Sequence, residues 1–129
     1  GRGMLITGTN DWVNYTVSSK IRFELVKSGG LAARVQGLQR YYALEVAANN
    51  KIRLIKMLDG LNILKEIDTD LIFQKDYDLA LQVEGSKLKG FLDGELVLEF
   101  EDSNNPFISG GIGFVVESGT QSTNEIVVS

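Results

Sequence analysis

Apolar and polar residues alternate one for one along most of the chain, in short runs cut by turn residues. A period of two marks a strand with one face buried, because successive side chains point to opposite sides of a pleated backbone. Tyr15, Val17, Ile21, Phe23 and Leu25 fall on one side of a long segment, with Thr16, Ser18, Lys20, Arg22 and Glu24 on the other. After Gly29-Gly30, Leu31, Ala33 and Val35 alternate with Ala32, Arg34 and Gln36. After Gly37, Tyr42, Leu44 and Val46 oppose Tyr41, Ala43 and Glu45, and Asn49-Asn50 closes the run. The segment from Lys51 to Leu58 is strand-like but alternates less cleanly, which leaves its faces unassigned.

The same signal returns in Leu79, Leu81 and Val83, in Leu88 and Leu92, and in Leu96, Leu98 and Phe100. Ile112, Phe114 and Val116 form a further strand, and Ile126 and Val128 a last one. Asp59-Gly60 and Asp93-Gly94 sit between apolar runs and read as tight hairpins, with Gly85-Ser86 as another turn. Asp102 to Gly111, which carries the only proline, Pro106, reads as a loop. The pattern predicts roughly ten strands at the spacing of sandwiches and barrels. No stretch shows a capped helical period, an internal repeat, a low-complexity tract or a domain boundary. Residues 1–129 are therefore expected to form one all-β domain.

Composition narrows the chemistry. The 129 residues suffice for one core, and 43% apolar with 23% charged residues is ordinary globular balance. The formal charge is −4 with no cluster of lysine or arginine, which argues against a nucleic-acid partner. There is no cysteine and no histidine, which removes disulfides, the common Ser-His and Cys-His nucleophile pairs and most zinc sites. No apolar run of about 18 residues is present, so no spanning helix and no membrane partner is expected. Gly1-Arg2-Gly3-Met4 precedes no apolar signal region, and an opening on glycine suggests a domain excised from a larger protein. The compartment is therefore not readable.

An ordered series of segments adds to this reading. Asp11-Trp12-Val13-Asn14-Tyr15-Thr16-Val17 opens a strand, followed by Gly30 to Gln36, Tyr41 to Glu45 and Lys51 to Leu54. Leu92-Asp93-Gly94-Glu95-Leu96-Val97 and Gly110-Gly111-Ile112-Gly113-Phe114 close it. The series resembles the concanavalin A-like, laminin-G-like modules appended to bacterial sugar-active enzymes. Met4 to Asp11 and Ala33 to Gly37 resemble the module that follows some ADP-ribosylglycohydrolase-like proteins. The resemblance implies a two-sheet antiparallel jelly-roll sandwich rather than a barrel. It also implies a carbohydrate or glycosylated ligand and a parent catalytic domain as partners.

Candidate functional residues follow. Arg34, Tyr41 and Glu45 are expected outward on neighbouring strands if Leu31, Ala33, Val35, Tyr42, Leu44 and Val46 face the core, and Arg53 joins them. A guanidinium fork and a carboxylate suit sugar hydroxyls and an aromatic face suits the apolar side of a sugar ring, while a cross-strand ion pair is the plainer alternative. Trp12, the only tryptophan, reads either as a sugar platform or as a packing anchor. Glu66, Asp68 and Asp70 resemble the alternate carboxylates of retaining glucanases, against a plain polar strand end. Glu99, Glu101, Asp102, Asn104 and Asn105 offer oxygen ligands for a possible calcium ion, without the spacing of a known calcium loop. The expected function is a non-catalytic carbohydrate-recognition or accessory module. A glycoside hydrolase and a docking module without a small ligand are the alternatives.

Overall fold

A computed structural model describes the backbone of residues 2–7, 13–23, 28–47, 50–69, 76–117 and 121–128, and the side chains of 13–21, 29–46, 50–69 and 76–113. Eleven strands are present among them: β1 (Arg2–Thr7), β2 (Tyr15–Phe23), β3 (Ser28–Gly37), β4 (Arg40–Ala47), β5 (Lys51–Leu58), β6 (Leu61–Asp68), β7 (Asp76–Glu84), β8 (Lys87–Leu92), β9 (Glu95–Glu101), β10 (Gly111–Glu117) and β11 (Gln121–Val128). One sheet has six strands in the order β1-β10-β3-β4-β5-β6, and the other has five in the order β11-β2-β7-β8-β9. Every pairing between them is antiparallel. The result is the two-sheet jelly-roll sandwich that the alternation and the resemblance predict.

The core lies between the sheets and follows the period of two. Tyr15, Val17 and Ile21 of β2 and Tyr77, Leu79, Leu81 and Val83 of β7 face Leu31, Ala33, Tyr42, Leu44, Val46, Ile52 and Leu54 of the opposite sheet. Burial of such side chains supplies most of the driving force for folding, at about 25 cal/mol per Å² of apolar surface. The sheets come close where β8 crosses β4. A Cβ built on Gly90 would lie 2.8 Å from Leu44 Cδ1, so glycine makes room there for the leucine. Two-residue loops close the hairpins at Asp59-Gly60 and Asp93-Gly94. Both Asp93 and Gly94 have positive φ, the conformation that suits the strand twist at such a hairpin.

One expected face assignment is corrected in β3. The strand shifts register between Ala33 and Gly37, and Arg34 has φ of 50°. From Ala33 to Gly37 β3 runs two residues longer than the facing stretch of β4, and this irregularity turns both Ala33 and Arg34 inward and sends Val35 to the opposite face. A smaller misassignment occurs in β9. A register shift against β8 between Gly90 and Phe91 leaves Leu96 exposed, while Leu98 is buried as expected.

Beyond the core, the outer face of the six-stranded sheet carries a second apolar cluster of Ala32, Val35, Tyr41, Ala43, Ile55 and Met57, all buried. β6 borders this face as the last strand of its sheet.

Candidate functional site

The outer face of β4, β5 and β6 is a ladder of cross-strand rows. Tyr41, Met57 and Leu61 stand in one row, and Ala43, Ile55 and Ile63 in the next. Glu45, Arg53 and Glu66 form the third, and Ala47, Lys51 and Asp68 the fourth. Along the strands this face therefore passes from apolar to charged. β5 carries both kinds of residue because its alternation is double: Ile52 and Leu54 point to the core while Ile55 and Met57 pack outward.

Charge pairing organises the polar half. Arg53 donates from Nε (3.1 Å) and Nη2 (3.0 Å) to Oε1 of Glu45, whose side chain is fully buried. The carboxylate thus fixes the arginine fork, and the Arg53 side chain is 15% exposed against none for Glu45. Lys51 Nζ donates to Asp68 Oδ1 at 2.6 Å and lies 3.8 Å from Glu66 Oε1. The hydrogen bond and the charge of Asp68 push the Lys51 ammonium above its usual range. The exposed part of the face therefore presents a guanidinium, an ammonium and two carboxylates within two adjoining rows.

The predicted residues divide. Glu45 and Arg53 form a cross-strand ion pair, with Glu45 buried rather than outward. Tyr41 stands on the outer face yet is only 2% exposed, so its ring offers no free face for stacking. Arg34 is corrected outright, because the bulge turns it into the sandwich, where it is fully buried. Its Nε and Nη2 donate to the Val13 carbonyl at 3.1 and 2.9 Å, and Nη2 also to Asn14 Oδ1 at 3.3 Å. Nη1 donates to the Phe107 carbonyl at 2.8 Å and to that of Gly85. The Arg34 amide donates to Tyr15 Oη at 2.6 Å, and the single proton of that hydroxyl is shared between the carbonyls of Gly110 (3.0 Å) and Gly111 (3.1 Å). A Cβ on Gly110 would lie 2.4 Å from the Arg34 carbonyl carbon, and Gly110 has φ of 148°, so only glycine fits beneath the bulge. Burial lowers the guanidinium pKa and raises that of Tyr15. Trp12 and Asp70 lie outside the described residues.

Glu66 and Asp68 line the outer face, each within ion-pair distance of Lys51. Among the described residues no three acidic side chains converge on a point where a metal could sit. The expected calcium set splits instead. Glu99 pairs with Lys89 at 3.5 Å, Glu101 accepts from Ser86 Oγ at 3.2 Å, and Asp102 turns inward. There the Lys56 ammonium takes Asp102 Oδ2 (2.7 Å) and the carbonyls of Asn104 (2.6 Å) and Asn105 (3.0 Å). Tyr42 Oη donates to the same carboxylate at 2.6 Å and accepts from the Phe107 amide at 3.0 Å. Lysine has three donors, and all three are used. Burial alone would raise the Asp102 pKa, but the hydrogen bonds from Lys56, Tyr42 and the Asn104 amide outweigh it and hold the carboxyl below its usual range. Burial and donation to Asp102 raise the Tyr42 hydroxyl strongly.

Lys51, Leu61 and Ile63 were not singled out by sequence reasoning. A partial signal for the first exists: counting back from Asp59-Gly60 as a two-residue loop pairs Arg53 with Glu66 and Lys51 with Asp68, as observed, but misplaces Ile55 and Met57, which pair with Ile63 and Leu61 on the turn side of a register shift between Leu54 and Ile55.

Comparison with known proteins decides the family. The model of the galactocerebrosidase C-terminal lectin domain matches residues 2–123. The chain belongs to that lectin-domain family. A search of the curated proteins returns no match. Among solved structures, the family member is similar to the carbohydrate-binding module CBM66 from Bacillus subtilis, with a TM-score of 0.89 at 23% identity over 99% of this chain and 81% of that one. It is also similar to the Caenorhabditis elegans galectin LEC-6, with a TM-score of 0.74 at 11% identity over 98% of this chain and 89% of the galectin. Toad ovary galectin in complex with thio-digalactose gives 0.75 at 10% identity over 98% of both chains. At these identities the likeness speaks for the fold, and the sandwich is that of lectin-like modules.

Proposed function

We infer that the chain is a carbohydrate-binding module that serves a larger sugar-active enzyme without carrying catalysis itself. The observation that carries this reading is the lectin-domain match across residues 2–123. The place of binding is proposed as the polar half of the outer face of β5 and β6. There the Arg53 fork is held by Glu45 and donates to sugar hydroxyl oxygens, as charge-assisted hydrogen bonds do best. Glu66 and Asp68 accept from hydroxyl hydrogens, and Lys51 sets the spacing between them. In this reading Glu45 is a positioning residue and Arg34 holds the scaffold. Tyr41 backs the face, and Trp12, outside the described residues, is kept as a candidate stacking platform. The wider kinship with concanavalin A-like, laminin-G-like modules and the attachment to a parent hydrolase belong to the same proposal, as does the absence of nucleic-acid and membrane partners.

Glycan-array binding of the 129-residue chain, run with calcium and with chelator and followed by calorimetry, tests the reading. Reproducible binding to one sugar class is expected. Arg53→Lys keeps a cation against Glu45 but loses the fork, and Glu66→Gln loses an acceptor charge. Each should weaken binding about tenfold, the worth of one charged hydrogen bond; the thermal midpoint should stay almost unmoved in Glu66→Gln and fall in Arg53→Lys, which leaves the buried Glu45 carboxylate with fewer donors. Silence across the array, or full affinity in both variants, would overturn the site and favour a module that docks onto its parent enzyme.

A further inference from the structure

The five-stranded sheet turns its outer face away from the β5–β6 face. Tyr77, Leu79, Leu81 and Val83 of β7 and Leu88 of β8 are buried. The pleat therefore points Ala80, Gln82 and Glu84 of β7 and Lys87, Lys89 and Phe91 of β8 outward. Register sets them in rows: Glu84, Lys87 and Glu101 in one, Gln82, Lys89 and Glu99 in the next, and Ala80, Phe91 and Leu96 in a third. Gln82, Glu84, Lys87 and Lys89 line a shallow cavity of about 80 Å³. Lys89 is held loosely, by Glu99 at 3.5 Å. Among the described residues, no hydrogen bond or ion pair engages the side chains of Gln82, Glu84 or Lys87, and no ring contact engages Phe91.

These rows fit together as a site. Phe91, partly exposed, and Leu96, 47% exposed, make an apolar shelf, and the short side chain of Ala80 leaves the floor open beside the ring. Gln82 and Lys89 stand two residues along the same strands, about 7 Å away, on strands about 4.8 Å apart. That footprint suits a single pyranose ring lying on the sheet. Charge selects the chemistry of the ligand. The ammonium groups of Lys87 and Lys89 alternate with the carboxylates of Glu84, Glu99 and Glu101. An anion meets the carboxylates and a cation meets the ammonium groups, whereas a hydroxyl donates to one and accepts from the other.

We propose that the module carries a second ligand site here, which takes a neutral pyranose with its C–H face on Phe91 and its hydroxyls on Gln82, Glu84, Lys87 and Lys89. The inference takes its ligand class from the carbohydrate-binding reading and uses no residue of the β5–β6 face. With a site on each sheet, one module holds two glycan chains at once, on opposite sides of a sandwich whose sheets pack about 10 Å apart.

Backbone amide shifts of the 15N-labelled chain test the proposal, in titrations with methyl β-D-galactoside, methyl β-D-glucoside and methyl α-D-mannoside run beside the glycan array. At least one of the three should shift the amides of Gln82 to Phe91. Phe91→Leu keeps an apolar side chain in the strand but loses the ring, and should weaken binding at this face about tenfold. Gln82→Ala with Lys89→Met should weaken it at least as much, with the thermal midpoint near that of the parent. Neither variant should move binding at β5 and β6, and Arg53→Lys should leave the β7–β8 shifts intact. Methyl β-D-glucuronide should gain nothing over the glucoside, and a clear preference for the acid would overturn the neutral ligand. Shifts confined to β5 and β6, a positive array with no shift at β7 and β8, or β7–β8 binding that survives both variants would overturn the second site and leave sugar recognition standing. A silent array with no shift from any glycoside would overturn the carbohydrate reading as well.

Discussion

Arg34 carries five N–H donors, and the fold supplies an acceptor for each from Val13, Asn14, Gly85 and Phe107. Three of these acceptors are carbonyls from separate stretches of chain, so removing the side chain leaves buried oxygens without partners. Arg34→Ala is expected to destabilise the fold by about 3 kcal/mol, at the upper end for single substitutions, read as a fall in the urea midpoint. Arg34→Lys should recover little of it, because three point-like donors do not reproduce a planar fork. Sugar binding by the folded fraction should persist in both. The inward turn of this residue was not legible in the sequence. Alternation places Arg34 outward, and only a bulge with left-handed backbone at that position reverses it. For Glu45 the sequence offered a cross-strand ion pair as the plainer alternative, but with the faces of Lys51 to Leu58 unassigned it did not single out Arg53 as the partner. It was silent on depth, because alternation tells which face a residue takes and not what covers that face.

At the scale of elements, the segment between β9 and β10 is a predicted loop whose attachment escaped prediction. Its anchor, Lys56, lies 48 residues from Asn104 in the chain, a separation that no local pattern reports. The hairpins at Asp59-Gly60 and Asp93-Gly94 were legible because their turn chemistry is local. The loop is tied through Asp102, and the tie depends on pH. Its carboxyl titrates below the usual range in the folded state. The folded protein therefore binds that proton less readily than the unfolded chain does. The stabilisation is complete above about pH 4, the value of an unfolded aspartate, and drains away as pH falls through the lower folded value. Asp102→Asn should lower stability at pH 7 by about 3 kcal/mol, because Lys56 is left as a buried charge with a weakened partner. Thermal melts followed by circular dichroism from pH 7 to pH 2 should show a shallower acid decline for the variant than for the parent. Parallel curves would mean that Asp102 is not the group that titrates.

At the scale of the molecule, one apolar core is built from both sheets, and the Arg34 and Tyr15 bonds join β2, β3, the β7–β8 turn and the β9–β10 loop. Neither sheet keeps its inner face covered without the other. Unfolding in urea is therefore expected to be a single transition, with near-ultraviolet and far-ultraviolet circular dichroism sharing one midpoint. Two separated midpoints would show that the sheets melt independently. The architecture was largely legible at this scale, since strand spacing and turn signals give an all-β domain and the ordered segments favour the sandwich.

The Lys56 ammonium, ringed by a carboxylate and two peptide oxygens, occupies the kind of nest in which other proteins seat a dissolved ion. Here the ion is covalently tethered to the chain. It cannot be chelated, diluted or exchanged, and its local concentration is fixed by four methylene groups. The tie that Lys56 gives the β9–β10 loop is consequently built from the chain alone, and its strength follows the protonation of Asp102.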